Sequence, residues 1–302
     1  QRVKQMTHSV FVFNHIFWLR SLLLCLCLKF SFFAEAQENK HFIRFISDGL
    51  DRRGELQTAI VTYTNISGTK IDLVSAVHLG DREYYDWLNK YFEGKDIVLY
   101  ELVANADDRP LLNAERTGTS PISFLQKALG SFLGLSFQLE QIDYATQNFI
   151  HADLNPDQLR KAMEDKDQNL FSTFFALAAA QSISLEDKTA TTDTYSSFDI
   201  LSLLDALTSG DHRNSLKYLF AEELGKGGNL QLTPEIENQI PILADRNEAV
   251  IAKLIGVISD PNIKNIAIFY GAAHMPGLER VILGELGFQR SSERWLSAWE
   301  IP

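Results

Sequence analysis

Residues 71–103 read IDLVSAVHLGDREYYDWLNKYFEGKDIVLYELV, and this stretch decides the fold. An apolar run ends at His78, apolar residues then recur at helical spacing, and the part from Ile97 to Val103 is apolar again. The pattern predicts a strand, a helix over 81–92 and a second strand. The expected apolar face of the helix consists of Tyr84, Trp87, Leu88 and Tyr91. A strand–helix–strand unit of this kind predicts two parallel neighbours in one sheet.

The segments on either side of this unit extend the predicted sheet. The first strand of this unit corresponds to Lys70–Val77, and further strands are predicted at His41–Ile46, Gln57–Tyr63, Asn265–Tyr270 and Trp295–Ile301. A long helix is expected from Thr233 to about Ile258, and a short one over Pro276–Leu286. The fold class predicted from these elements is α/β, with a mixed central sheet and flanking helices.

The middle of the chain, about 110–230, has a different pattern, mostly helical and without a clear strand. Asn155 followed by Pro156 is typical of a helix start, with favoured N-cap and N1 residues. Leu170–Ala180 and Phe198–Leu207 are apolar enough to form packed helices. We interpret this region as a helical insertion or lid.

A weak internal repeat links the two ends of the domain. Ser75-Ala76-Val77-His78 resembles Gly271-Ala272-Ala273-His274, and each follows an apolar strand and precedes a helix. The repeat predicts two pseudo-repeated halves that each contribute one histidine.

Three chemically active residues, His78, Glu101 and His274, are expected at one edge of the sheet. The carboxyl ends of parallel strands share an edge, which places His78 and Glu101 together, and His274 joins them if the strand over Asn265–Tyr270 is parallel to theirs. This edge is where open α/β sheets usually bind ligands. Glu101 sits in an apolar strand, so its charge requires a cation or hydrogen-bond donors. A structural arginine could be that partner. Two histidines and a carboxylate are equally a suitable ligand set for Zn, Mn, Fe or Co.

Other candidate site residues have weaker signals. Arg246 could orient a carboxylate or stabilise an oxyanion, or be a surface arginine. Tyr144, His151 and Asp153 lie where a substrate loop is expected, although helix capping by Asp153 or by Asn155 is an alternative. Gly271 indicates that another group approaches the backbone closely, or that a helix and a strand pack tightly.

The first 36 residues predict a signal peptide. Arg2 and Lys4 precede an apolar stretch from Phe11 to Phe33, which closes on the small-x-small pattern Ala34-Glu35-Ala36. An uncleaved anchor is the alternative, but charged residues leave its longest uninterrupted apolar run far short of a membrane span. We therefore expect an exported chain, periplasmic or secreted, whose α/β domain covers residues 37–302 and has no stable membrane span.

Composition excludes several classes of function. Both cysteines, Cys25 and Cys27, lie in the predicted leader, which leaves neither a disulfide nor a thiolate site in the domain. Without the leader the net charge would be −14 rather than −11, because four basic residues and one acidic residue are removed. A domain with this negative charge repels the phosphate backbone of nucleic acids. We therefore expect no nucleic-acid partner.

The chain resembles the TraB/PrgY/GumN family, which includes the Tiki proteins and is distantly similar to erythromycin-esterase-like and ChaN-like haem-binding folds. The resemblance covers nearly the whole domain and is carried by four motifs. These are Ala76-Val77-His78, Tyr100-Glu101-Leu102, Asp245-Arg246-Asn247 and Gly271-Ala272-Ala273-His274-Met275-Pro276-Gly277. The family pattern has two Gly-x-x-His motifs, a glutamate and an arginine, which here correspond to His78, Glu101, Arg246 and His274. Ser75 stands where the first motif has glycine.

The resemblance implies metal-dependent peptide cleavage, with Mn or Co preferred in Tiki proteins. Our leading hypothesis is a hydrolase of peptides or small amides and esters, with His78, Glu101 and His274 holding Mn, Co or Zn. In it Glu101 is a ligand or the general base, and Arg246 stabilises the oxyanion. The alternatives are a non-catalytic protein that binds haem or iron through the same histidines, and an exported interaction protein that uses the helical insertion.

Overall fold

The fold is that of a computed structural model, which describes residues 41–47, 49, 52–105, 107–110, 112, 130–165, 206, 208–227 and 241–302. The predicted leader, and most of the two helices predicted at 170–180 and 198–207, lie outside these residues. The strands are β1 (Ile43–Ser47), β2 (Gly54–Thr64), β3 (Lys70–Ala76), β4 (Leu79–Gly80), β5 (Ile97–Tyr100), β6 (Ser136–Phe137), β7 (Phe149–His151), β8 (Asn265–Gly271) and β9 (Gln289–Ile301).

Helices lie between several of these strands along the chain. They are α1 (Arg82–Glu93), α2 (Gln138–Gln141), α3 (Pro156–Asp165), α4 (His212–Gly227), α5 (Pro241–Ile258), the 3-10 helix η1 (Ala272–His274) and α6 (Met275–Gly284). In the part of the chain that the structure describes, none of these helices is both long and apolar enough to cross a bilayer.

Seven strands form one mixed central sheet. β2 pairs antiparallel with β9 on one side and with β1 and β3 on the other. From β3 the sheet continues through β8 and β5 to β7, and all three of these pairings are parallel. The sheet is flanked by helices, so the predicted α/β class with a mixed central sheet is confirmed.

The parallel strands are buried on both faces, as their nearly continuous apolar sequences require. Val74 and Phe269 point to the face covered by α1, whereas Leu73 and Ile268 point to the face covered by α5 and α6. Side chains alternate between the faces of a strand, so this alternation fixes which residues at the strand ends share a face.

The buried face of α1 differs from the predicted one. Tyr84 and Leu88 are buried as expected, but the other buried residues are Tyr85 and Phe92. Two predicted members of the face, Trp87 and Tyr91, are only half-buried and stack with ring centroids 5.0 Å apart. Tyr91 donates a hydrogen bond of 2.7 Å to Asp72 of β3, which places this side of the helix at the margin of the core.

The expectation of a strand-free middle region was wrong at two places. β6 pairs with β4 in a separate two-stranded sheet, and β7 extends the central sheet beside β5. Strands of two and three residues are too short to produce a recognisable alternation. The helix start at Asn155 is confirmed, because Asn155 and Gln158 exchange hydrogen bonds of 2.8 and 2.9 Å at the start of α3.

The start of β8 is fixed by an aspartate that precedes β5. Asp96 Oδ2 accepts hydrogen bonds of 2.8 Å from the backbone N–H groups of Lys264 and Asn265. These two bonds hold the pKa of Asp96 below its usual value. The carboxylate therefore connects β5 to β8 at the edge opposite the strand ends that carry Glu101 and His274.

We expect Asp96→Ala to lower the free energy of unfolding by about 1 kcal/mol, a small value for a charged acceptor because the carboxylate is exposed. A depressed pKa stabilises the fold above the unfolded-state pKa of about 3.9, and this stabilisation disappears as the pH falls through the folded-state value. Urea denaturation of the wild type and of Asp96→Ala, at neutral pH and near pH 3, measures this loss of unfolding free energy. Asp86→Ala, on the exposed face of α1, is the control; equal losses in both variants, or a loss that does not decrease between neutral pH and pH 3, would contradict the assignment.

Candidate functional site

The carboxyl ends of β3, β8 and β5 lie side by side. Ser75 pairs with Tyr270 across β3 and β8, and Tyr100 pairs with Phe269 across β5 and β8. β8 is therefore parallel to β3 and β5, as required for His274 to lie at the same edge as His78 and Glu101. His78 follows β3, Glu101 follows β5, and His274 ends the 3-10 helix that comes after β8.

Glu101 is the centre of this edge, and its side chain is only 10% exposed. Its Oε1 accepts a hydrogen bond of 2.7 Å from Arg246 Nη2, and its Oε2 accepts one of 2.5 Å from the backbone N–H of Gly271. His274 Nε2 lies 3.5 Å from Oε1. Burial opposes ionisation of Glu101, but the electrostatic effects of His274 and Arg246 outweigh it and hold the pKa of this carboxyl well below its usual range.

The close approach that Gly271 indicated is the approach of this carboxylate. A Cβ atom added to Gly271 would lie 3.3 Å from Glu101 Oε2, which is tight for a carbon–oxygen contact. The backbone of Gly271 has a φ of −57°, so any residue could adopt its conformation. The glycine therefore provides space for Glu101 rather than conformational freedom.

Arg246, on α5, connects Glu101 to a second carboxylate. Its Nε and Nη2 donate hydrogen bonds of 2.9 and 2.6 Å to the two oxygens of Asp153. Arg246 is buried, which excludes the surface role, and the Asp153 side chain is 0% exposed. The arginine faces two carboxylates, so the guanidinium orients acidic groups instead of presenting Nε and Nη2 to a substrate oxyanion.

This network has an imbalance of charge. Two buried carboxylates, Glu101 and Asp153, face one guanidinium, that of Arg246. Buried charges that are not balanced cost several kcal/mol. A second positive charge beside Glu101 would balance the two carboxylates. The imidazole of His274 lies next to Glu101.

His274 is held in place from its other side. It is buried, and its Nδ1 lies 2.8 Å from Oδ1 of Asn247, the residue after Arg246 on α5. Its ring packs edge-on against Tyr270, with centroids 5.2 Å apart, and Tyr270 in turn donates a hydrogen bond to the Ala152 carbonyl. The imidazole is thus fixed with Nε2 directed at Glu101.

His78 is the exposed member of the predicted ligand set. Its carbonyl accepts a hydrogen bond of 2.9 Å from the backbone N–H of Gln138, and its side chain contributes to the low pKa of Glu101. The two histidines of the repeat therefore have different surroundings. Among the described residues, no group of three or more His, Cys, Asp or Glu side chains is close enough to hold a metal ion.

The donor chemistry of the two closer residues nevertheless fits a divalent metal. A carboxylate oxygen and an imidazole nitrogen face each other, and the second imidazole nitrogen contacts a carboxamide oxygen. Ligating histidines are commonly oriented by an oxygen acceptor at their second nitrogen. The structure brings Glu101 and His274 together, and places His78 at the same edge but outside this pair.

The predicted substrate residues have other contacts. Tyr144 is fully buried and accepts a hydrogen bond of 3.0 Å from Gln138. His151 is half-buried in β7, with Nε2 2.6 Å from the Leu102 carbonyl. The Asp153 carboxylate binds Arg246 and the backbone N–H of Leu154. Tyr144 and the Asp153 side chain are thus buried, and His151 is only partly exposed.

Sequence reasoning missed the roles of two residues in the network. Asp153 was considered a substrate or capping residue, and Asn247 only a neighbour of Arg246. The available signal was their position: Asp153 comes after a strand that ends beside Glu101, and Asn247 is adjacent to Arg246 on one helix. Neither position identifies a partner without the register of the sheet.

No protein-family model, curated protein or solved structure matches the chain. The resemblance to the TraB/PrgY/GumN family thus stays a prediction from the quoted motifs.

We expect Arg246→Met to lower the free energy of unfolding by about 3–5 kcal/mol, because it leaves two buried carboxylates without their shared cation. Adding Glu101→Gln and Asp153→Asn should restore most of this loss, since the uncompensated charges are then removed. Chemical denaturation at neutral pH measures both effects.

Arg160→Met is the matched control for this substitution. Arg160 pairs with Asp157 and Glu164 on the surface of α3, and its replacement should leave the denaturation midpoint almost unchanged. A loss below about 1 kcal/mol in Arg246→Met, or no recovery in the triple variant, would contradict the assignment.

Proposed function

We propose that the chain is a metal-dependent hydrolase that cleaves peptide or other amide bonds at the carboxyl edge of β3, β8 and β5. The observation that carries the proposal is the buried network in which Glu101 and Asp153 share the single guanidinium of Arg246. Such a network favours a further cation next to Glu101. A divalent metal is a suitable cation, because His274 Nε2 faces the same carboxylate oxygen.

Glu101 and His274 would hold the ion. His78 lies outside this pair and is exposed, so its side chain would have to move toward the pair to act as the proposed third ligand. Carboxylate and imidazole ligands suit Zn, Mn and Co. When bound, such an ion supplies Lewis-acid chemistry, which polarises a substrate carbonyl and makes water more acidic.

Of the two roles considered for Glu101, ligand and general base, the contacts favour the ligand. Both carboxylate oxygens already accept hydrogen bonds, one from Arg246 and one from Gly271. A carboxylate stabilised in this way remains ionised and is a weak base. It is therefore better suited to binding a cation than to accepting a proton from water.

Arg246 is proposed as a positioning residue. The Asp153 carboxylate fixes the guanidinium, and the guanidinium fixes Glu101 Oε1 on the side that faces His274. His78 is the exposed one of the three proposed ligands, so it is the group that a substrate can reach from solvent.

The test is hydrolysis of a library of quenched fluorescent peptides by the purified chain, first freed of metal and then given Mn, Co or Zn one at a time. We expect turnover that depends on the added metal and falls by about 100-fold or more in Glu101→Gln and in His274→Ala. His212→Ala, an exposed histidine of α4, is the control and should keep wild-type turnover.

Two results would reject the proposal. One is wild-type protein without metal-dependent turnover, and the other is full turnover by Glu101→Gln. A strong Soret band in the purified protein would instead support the haem-binding alternative.

A further inference from the structure

Asn247 makes a contact that decides which nitrogen of His274 carries a proton. The Nδ1 atom of His274 lies 2.8 Å from Asn247 Oδ1, and both side chains are buried. A carboxamide oxygen only accepts hydrogen bonds, so in this contact Nδ1 must be the protonated donor. A neutral imidazole protonated at Nδ1 has its lone pair on Nε2.

This arrangement is unfavourable for the imidazole and Glu101 taken alone. The lone pair on Nε2 would face Glu101 Oε1, also an acceptor, at 3.5 Å. The alternative tautomer, with the proton on Nε2, would donate a hydrogen bond to the carboxylate instead. A neutral imidazole cannot donate to both Asn247 and Glu101. With Nδ1 protonated, the pair of acceptors Nε2 and Oε1 is costly in a buried site unless a cation, either a second proton on Nε2 or a metal ion, lies between them.

We infer that Asn247 is a positioning residue that holds His274 in the tautomer protonated at Nδ1, so that Nε2 and Glu101 Oε1 together receive a divalent cation. The inference rests on the proposed function for the identity of the bound group. The tautomer itself is a property of the chain, and it can be measured without activity.

The placement of Asn247 on α5 supports this assignment. Arg246 and Asn247 are consecutive, and they contact Glu101 and His274 respectively. One turn of helix thus positions both members of the acceptor pair from the same side of the sheet. A helix rotation or shift would disturb both contacts together, which makes α5 the element that sets the distance between the two acceptors.

The first experiment is ¹⁵N nuclear magnetic resonance of the imidazole nitrogens of His274 in the metal-free chain, recorded over a series of rising pH values until the imidazole is neutral. We expect the wild type and Asn247→Asp to have the proton on Nδ1, because both present an acceptor oxygen. Asn247→Leu, of similar size and without an acceptor, should populate the tautomer protonated at Nε2. If the leucine variant does not fold, Asn247→Ala provides the same comparison.

Calorimetric titration with Zn or Mn provides the second readout. Loss of a contact that orients a ligating histidine typically weakens metal binding by about 10- to 100-fold, which we expect for Asn247→Leu but not for Asn247→Asp. Asn148→Leu is the matched control, because the partly buried Asn148 also makes side-chain hydrogen bonds to the protein, but at the opposite edge of the sheet.

The two experiments separate this inference from the proposed function. A wild-type protein that binds no metal refutes the metal site, whereas the tautomer comparison still tests the role of Asn247. A proton on Nε2 in the wild type, an unchanged tautomer in Asn247→Leu, or equal metal affinity of that variant and the wild type would overturn the inference.

Discussion

The site depends on one buried ion-pair network, the guanidinium of Arg246 between the carboxylates of Glu101 and Asp153. The network joins three elements that are far apart in the chain: the end of β5, the residues after β7, and α5. Removing a charge from such a network is costly, because its partners remain buried without compensation. The geometry around Glu101 is therefore fixed by electrostatics as well as by packing.

The parallel register of the sheet brings the partners of Glu101 together. The strand order β3, β8, β5, β7 makes Gly271 and Glu101 neighbours, so a backbone N–H reaches the second carboxylate oxygen. Asp153 comes from the next strand in the same order, two residues after β7. A carboxylate, a guanidinium and an imidazole thus meet where four parallel strands end, the usual place for a ligand site in an α/β sheet.

Much of this arrangement could be predicted from the sequence, and the failures have physical causes. The long apolar strands and the helix between β3 and β5 have strong periodic signals, so connection rules predict that His78 and Glu101 share an edge. His274 joins them because β8 is parallel to both strands, which the sequence left as a condition. β7 has three residues and no visible alternation, so the pairing that brings Asp153 to Arg246 was not predicted. Burial of His274 and exposure of His78 depend on the element after each strand, a 3-10 helix in one case and a two-residue strand in the other. Periodicity does not report that difference.

The central claim is that Glu101 and His274 form one cation site, and cobalt titration tests it most directly. Co²⁺ bound by protein ligands in a low-symmetry site has visible ligand-field absorption whose intensity and position depend on the ligands. The account predicts a band that saturates near one equivalent of Co²⁺, is lost or shifted in both Glu101→Gln and His274→Ala, and is unchanged in the exposed-surface variant His212→Ala. Absence of a saturable band in the wild type, or an identical band in Glu101→Gln, would contradict it.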